Sequence, residues 1–222
     1  MTAFQRARSE QQREVRRRAI LDAAGAMLAE MPVAEVSLTE LSRRAGLAKS
    51  NVLRYFDSRE AVLLELLDDA WREWLDQLAV DLAGSRTGAP GERGEQVAAA
   101  VAGSLAARPV LCDLLGAQAA VLERNVSPAV AARFKRAAID NIGTLGTLLG
   151  AAVPELGATR AERLAAATVL VAGALWAHGQ PSAAVLAAYE ADPSLAVFRL
   201  DFCATLTEVL AVLVAGLLAR GR

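Results

Sequence analysis

The chain has 222 residues, a formal net charge of −1 and 54% hydrophobic residues, which suits one small domain plus one larger one around a sizeable core. Aromatic residues make up only 5%, the apolar positions are mostly Ala, Leu and Val, and no stretch alternates strictly as a half-buried strand would, so the expected fold is all-α. The charge is unevenly divided: residues 1–59 carry eleven basic and seven acidic side chains and the remainder thirteen and eighteen, a basic head on an acidic body that suits an anionic partner at the head alone.

Cys112 and Cys203 lie far apart without metal-ligand spacing and read as reduced core thiols of a cytoplasmic protein; no metal and no cofactor is expected. The N-terminal stretch MTAFQRARSEQQREVRRRAI has no apolar signal-peptide core. The longest apolar runs, 164–177 and 209–219, fall short of the roughly 20 residues that cross a bilayer. They read as buried helices, and no membrane partner is expected.

The first helix is expected over about 11–30, with Ile20, Ala23, Ala24, Met27, Leu28 and Met31 on one face and Arg13, Arg16, Arg17 and Arg18 before it. Pro32 cannot continue it. Ser37-x-x-Glu40 is a capping box opening a helix over about 38–45, with Val36 and Leu41 at the staple positions. Gly46 suits a left-handed residue past its end. A third helix, about 49–55, is too short to stand alone in water. Packing must hold it, with Val52 and Phe56 inward against Leu41 and Leu47. Ser50, Asn51, Arg54 and Tyr55 are then left facing outward or sideways, a small polar face that fits a major groove. Lys49, Arg54 and Tyr55 have the reach for phosphates or base edges.

The stretch SLTELSRRAGLAKSNVLRYFDSREAV (residues 37–62) resembles the N-terminal DNA-binding region of the tetracycline-repressor (TetR) family. The resemblance rests on Leu38, Leu41, Ala45-Gly46-Leu47, Tyr55-Phe56, Ser58-Arg59-Glu60 and the Ile20-Leu21-x-Ala23-Ala24 core, and it spans about residues 11–65. It implies a helix-turn-helix domain over residues 1–57 joined to a larger helical ligand-binding and dimerisation domain over 58–222. It also implies a homodimeric repressor released from an inverted-repeat operator by a small molecule. Thr39, Tyr55 and Arg59 would contact phosphates. Lys49, Ser50, Asn51 and Arg54 would lie at or near bases, and Arg16 and Arg17 would add phosphate or minor-groove contacts. The chain departs from the family at two positions. Ala48 stands where a capping serine is common, a loss of about 1 kcal/mol. Leu53 stands where tyrosine is common, so it must touch a thymine methyl or pack inward.

A long fourth helix, about 58–83, carries Leu63, Leu67, Trp71, Trp74 and Leu78 and should join head to body through core packing. GSRTGAPGERG (84–94) reads as a loop, followed by a helix near 92–107 and an element from Pro109. Ser127-Pro128 opens a helix to about Leu149. Thr159-x-x-Glu162 reads as a second capping box, for a helix ending near His178-Gly179. Asp192-Pro193 opens a last helix running to about Ala219. Ala165, Thr168, Ala172 and Leu175 on one long apolar helix, and Phe198, Phe202, Leu206, Leu210 and Leu213 on the other, are expected to build a two-fold interface with a second copy.

The effector expected is small and partly hydrophobic. Cys112, Asp113, Gln118, Phe134, Asn141, Trp176 and His178 are the candidate ligand residues. Two rival readings are a helical adaptor for an acidic protein partner and an enzyme. Against the enzyme, there is one histidine and no nucleophile elbow or nucleotide loop.

Overall fold

Short polar side chains cap the starts of several of the helices. The computed structural model describes residues 3–84 and 87–220; the side chains of residues 3–10 and of Phe198 lie outside that description. It comprises α1 (Ala3–Leu28), α2 (Leu38–Arg44), α3 (Lys49–Val52), α4 (Arg59–Asp81), α5 (Pro90–Ala106), α6 (Pro109–Ala117), α7 (Pro128–Ala152), α8 (Gly157–His178), α9 (Ala183–Ala191) and α10 (Phe202–Ala219), with no strand among the described residues. The hydroxyls of Ser37, Ser58 and Ser127 accept the N–H groups of Glu40, Ala61 and Val130. These caps satisfy donors that a helix start leaves without partners.

The head is α1–α3. Ile20, Leu21, Ala24 and Met27 of α1 are buried with Val33, Val36, Leu41, Val52 and Phe56. This cluster is continuous with the body core. α4 carries the continuity: Leu63, Leu67, Trp71, Trp74 and Leu78 are all buried, and the Trp74 indole N–H donates to Ser104 Oγ at 2.9 Å. Around α4, α7 packs on α8, α6 on α8, and α10 chiefly on α5.

Several expected boundaries are corrected. α1 begins at Ala3 rather than near residue 11, because its Arg/Gln/Glu-rich start is made of good helix formers. α3 is one turn, ending at Val52 rather than Tyr55; residues 53–55 continue as a turn, with Tyr55 and Phe56 donating to Val52 O. α5 starts at Pro90, inside the expected loop, where Glu92 accepts the Ala89 N–H; Ser85 and Arg86 of that loop lie outside the described residues. The Thr159 box does not form. α8 starts at Gly157, itself at φ 65°, directly after a 3₁₀ turn over Pro154–Leu156, which leaves Thr159 inside the helix. The expected last helix is broken: a 3₁₀ turn spans Pro193–Phe198, and Asp201 caps a new start at Phe202. The chain also forms α9, unforeseen, with no residue buried.

The expected interface faces are corrected too. Ala165, Thr168 and Ala172 of α8, and Leu206 and Leu210 of α10, are buried within the subunit. The large apolar side chains these helices leave outside are Leu170, 74% exposed, and Val212, 66% exposed. α10 as a whole has 18 residues at a mean hydropathy of 2.2, long and apolar enough by composition to cross a membrane, unlike the shorter run considered alone. One side of it, through Leu206, Leu210 and Val214, is buried in the body core.

Gly46 sits at φ 65°, with open space where a Cβ would stand. Gly46→Ala should therefore cost about 1–2 kcal/mol from backbone strain alone. Urea unfolding of the two proteins measures it; equal stability would show that the turn relaxes.

Candidate nucleic-acid interface

α3 presents its outer surface because its inner one is apolar. Val52 and Phe56 are buried, as the spacing predicts, and Lys49, Ser50 and Arg54 are exposed, with Asn51 and Tyr55 half-buried beside them. Leu53 is 42% exposed, so it points out rather than into the core, a methyl-bearing surface beside the polar ones. Ala48 makes no side-chain bond at the start of α3, as expected from its chemistry.

The first helix supplies the other wall. A concave surface of about 360 Å³ lies between α1 and α3, lined by Gln12, Arg13, Arg16, Leu47, Asn51, Arg54 and Tyr55. Arg16, Asn51, Arg54 and Tyr55 were expected as contacts and converge here. Gln12, on the first helix, was not singled out. Lys49 and Ser50 are exposed at the start of α3, and Thr39 is exposed in the first turn of α2. The arginines are carried on a continuous helix, not on a flexible arm.

Two expected contacts are engaged inside the protein instead. The Arg17 guanidinium is ion-paired through both terminal nitrogens with Glu65 of α4, and it lies 4.9 Å over the Phe56 ring. Arg59 donates to Val36 O at 2.7 Å and sits 3.1 Å from the Glu60 carboxylate. Both brace the head. Sequence spacing misses this because the partner of Arg17 is 48 residues away.

A second network holds α2. Arg44 bridges Glu30 at the end of α1 to Glu40, and Arg43 reaches Glu40 at 2.6 Å. The Glu40 side chain is thus turned to arginines, and only the Ser37 half of the expected box is seen. Hydrogen bonds from Arg43 and then Arg44 hold the Glu40 carboxyl down at about 2.

Comparison with known proteins agrees with this geometry. Residues 20–66 match the family model described as bacterial regulatory proteins, tetR family. Residues 68–221 match the tetracyclin repressor-like C-terminal domain. The chain belongs to the TetR family. It is a DNA-binding transcriptional regulator. The HTH-type transcriptional regulator EthR of Mycobacterium tuberculosis is 44% identical over 50 residues, which is 22% of this chain and 23% of EthR. Two solved structures share the fold at 16% identity. A TetR transcriptional regulator from Rhodococcus sp. RHA1 has a TM-score of 0.56, over 94% of this chain and 97% of that one. FadR from Bacillus subtilis, in complex with stearoyl-CoA, has a TM-score of 0.54 over 89% and 97%.

The seven candidate ligand residues do not meet in one cavity. Phe134 lines a cleft of about 270 Å³ at the head–body junction, with Arg17, Leu64, Glu65 and Val130 among its walls. Nearby, Asn141 donates to Asp68 at 2.9 Å. Cys112 is buried on α6, and its thiol is pushed up to about 12 by burial and by the Asp113 charge, so it is not a nucleophile at neutral pH. Asp113 faces the head, accepting the Val33 N–H. Gln118 donates to Glu123, Trp176 meets Phe202 edge-on at 5.2 Å, and His178 is exposed at the end of α8.

A carboxyl lowered in the folded state stabilises above its unfolded value, and the benefit fades as pH falls toward the folded value. The Glu40 contribution is therefore complete above about 4.5 and lost on approach to about 2. Replacing Arg43 or Arg44 with Ala should raise the Glu40 midpoint, read by carboxyl-carbon NMR titration. A midpoint unmoved in both variants would contradict the network.

Proposed function

We propose that this regulator is a cytoplasmic repressor that binds an inverted-repeat operator as a homodimer and is released by a small, partly hydrophobic ligand. The observation that carries the DNA reading is the concave surface on which Arg13 and Arg16 of α1 meet Asn51, Arg54 and Tyr55 of α3. Lys49, Ser50, Asn51 and Arg54 lie at or near base edges, with small Ser50 letting α3 approach closely; Arg16, Thr39 and Tyr55 hold the backbone. Arg17 and Arg59 keep the head in shape. Residues 1–57 form the reading domain and 58–222 the responding one.

The exposed Leu170 of α8 and Val212 of α10 support pairing of these two helices with their copies, since apolar side chains on adjacent helices gain by excluding water together. Two-fold pairing sets the half-sites roughly 34–36 Å apart, one helical turn or a multiple of it. The apolar Ala/Leu/Val core supports a ligand with a hydrophobic part, and the stearoyl-CoA held by Bacillus subtilis FadR points the same way. Phe134 and Asn141, by the junction cleft, are the sequence-derived candidates best placed to border it. Such a ligand acts only by binding one arrangement of the heads better than another.

Selection of bound duplexes from random DNA tests the reading. The expected product is one inverted repeat. Arg54→Ala should relax its sequence preference by about 1–3 kcal/mol, and Arg16→Ala should weaken all duplexes alike and lower the salt slope by about 1. Equal losses on every sequence for both variants would contradict the assignment of base-facing residues.

A further inference from the structure

We propose that Asp113 is a positioning residue that sets how far apart the two DNA heads stand, and so selects the spacing between half-sites rather than their bases; this rests on the operator reading above. The Val33 backbone N–H donates to Asp113 Oδ2 at 2.7 Å, across 80 residues of sequence. Val33 is buried and opens a 3₁₀ turn over Val33–Glu35 that leads into α2. The next residue, Val36, gives its carbonyl to Arg59 of α4. The segment that starts α2 is therefore held from two directions, by α4 and by α6.

That second point of support has a mechanical consequence. The head is joined covalently to α4, and the ion pair from Arg17 to Glu65 also lands on α4. Ties to one helix leave rotation about that helix weakly restrained. The Asp113 contact comes from a different helix and limits that rotation, together with the bond from the Ser127 hydroxyl at the start of α7 to Asp57 of the head. A carboxylate accepting a backbone N–H makes a charge-assisted bond, stronger than a neutral one.

The other end of α6 is keyed to α8. A Cβ on Gly116 would stand 3.0 Å from the Gly173 carbonyl oxygen, and a Cβ on Gly173 would stand 3.0 Å from the Leu115 carbonyl oxygen. The two backbones touch with no side chain between them to yield. Asp113 and Gly116 lie three residues apart, about 4.5 Å along the helix axis. α6 is thus a short strut with the head at one point and α8 one turn later. α8 is also the helix whose outer side carries the exposed Leu170. A displacement of α8 at the subunit interface passes through α6 to the turn that starts α2.

The test compares full-length wild type with Asp113→Ala, Asp113→Asn and Gly173→Ala. Binding is measured to the selected duplex, to versions with the spacer changed by one and two base pairs, and to a single half-site. Asp113→Ala should reduce spacer discrimination by roughly tenfold, the weight of one hydrogen bond to a charged group, and leave half-site affinity unchanged. Asp113→Asn, whose amide oxygen still accepts the N–H, should restore most of it. Gly173→Ala should loosen spacing without touching the head. Hydrogen exchange of the Val33 amide, read without DNA, should quicken in Asp113→Ala and recover in Asp113→Asn. Unchanged spacer discrimination in a folded Asp113→Ala protein, or an unchanged Val33 exchange rate, would overturn the proposal. Faster Val33 exchange in a protein that selects no duplex would instead sink the operator reading and leave the strut contact intact.

Discussion

Four residues of regular helix cannot hold their shape in water, so α3 depends on the apolar contact behind it. Val52 and Phe56, buried against the core of α1 and α2, take the place of the length that α3 lacks. Arg17 adds to this support in a single side chain: its guanidinium covers the Phe56 ring and pairs with Glu65. The reading turn, the first helix and α4 are thereby joined. The absence of a capping side chain at Ala48 makes this backing more important, since the start of α3 has little local stabilisation of its own.

The same economy extends into the body. Head and body share one continuous hydrophobic core, and α4 passes through both. Interiors packed at crystal-like density shift between discrete arrangements rather than deforming smoothly. A change in the body would therefore reach the head as a change in position. The polar ties across the junction are few and specific. Arg17 reaches Glu65, Asp113 takes the Val33 N–H, and the Ser127 hydroxyl donates to Asp57 at 2.8 Å. The junction cleft lies beside the first of these, with Arg17 and Glu65 in its wall. A molecule lodged there would act directly on the contact that braces the reading turn.

Much of this was legible in the sequence because it is local. The serine caps at 37 and 127, the glycine after α2, and the helical spacing of Val52 with Phe56 or of Trp71 with Trp74 each depend on residues within a turn or two. The family motif named most of the residues around the α1–α3 surface for the same reason. What escaped was long-range or depended on competition. Arg17 read as a free basic residue because Glu65 is distant in sequence, and Asp113 read as a ligand contact because nothing in its neighbourhood points to Val33. Thr159 matched a capping pattern, but the turn at Gly157 starts the helix earlier. Apolar residues surround α8 and α10 on most sides, so periodicity could not tell which face stays in the subunit; Thr168 and Leu210 went inward and Leu170 and Val212 outward.

The central claim is that the exposed side of α3 enters the major groove. Dimethyl sulfate methylates guanine N7, which lies in that groove, so protection by the bound protein on its selected duplex reports the claim directly. The account predicts two protected clusters of guanines on one face of the DNA, about one helical turn or a multiple of it apart, both lost in a variant with Asn51 and Arg54 replaced by Ala. Tight binding that leaves every guanine N7 reactive would contradict it.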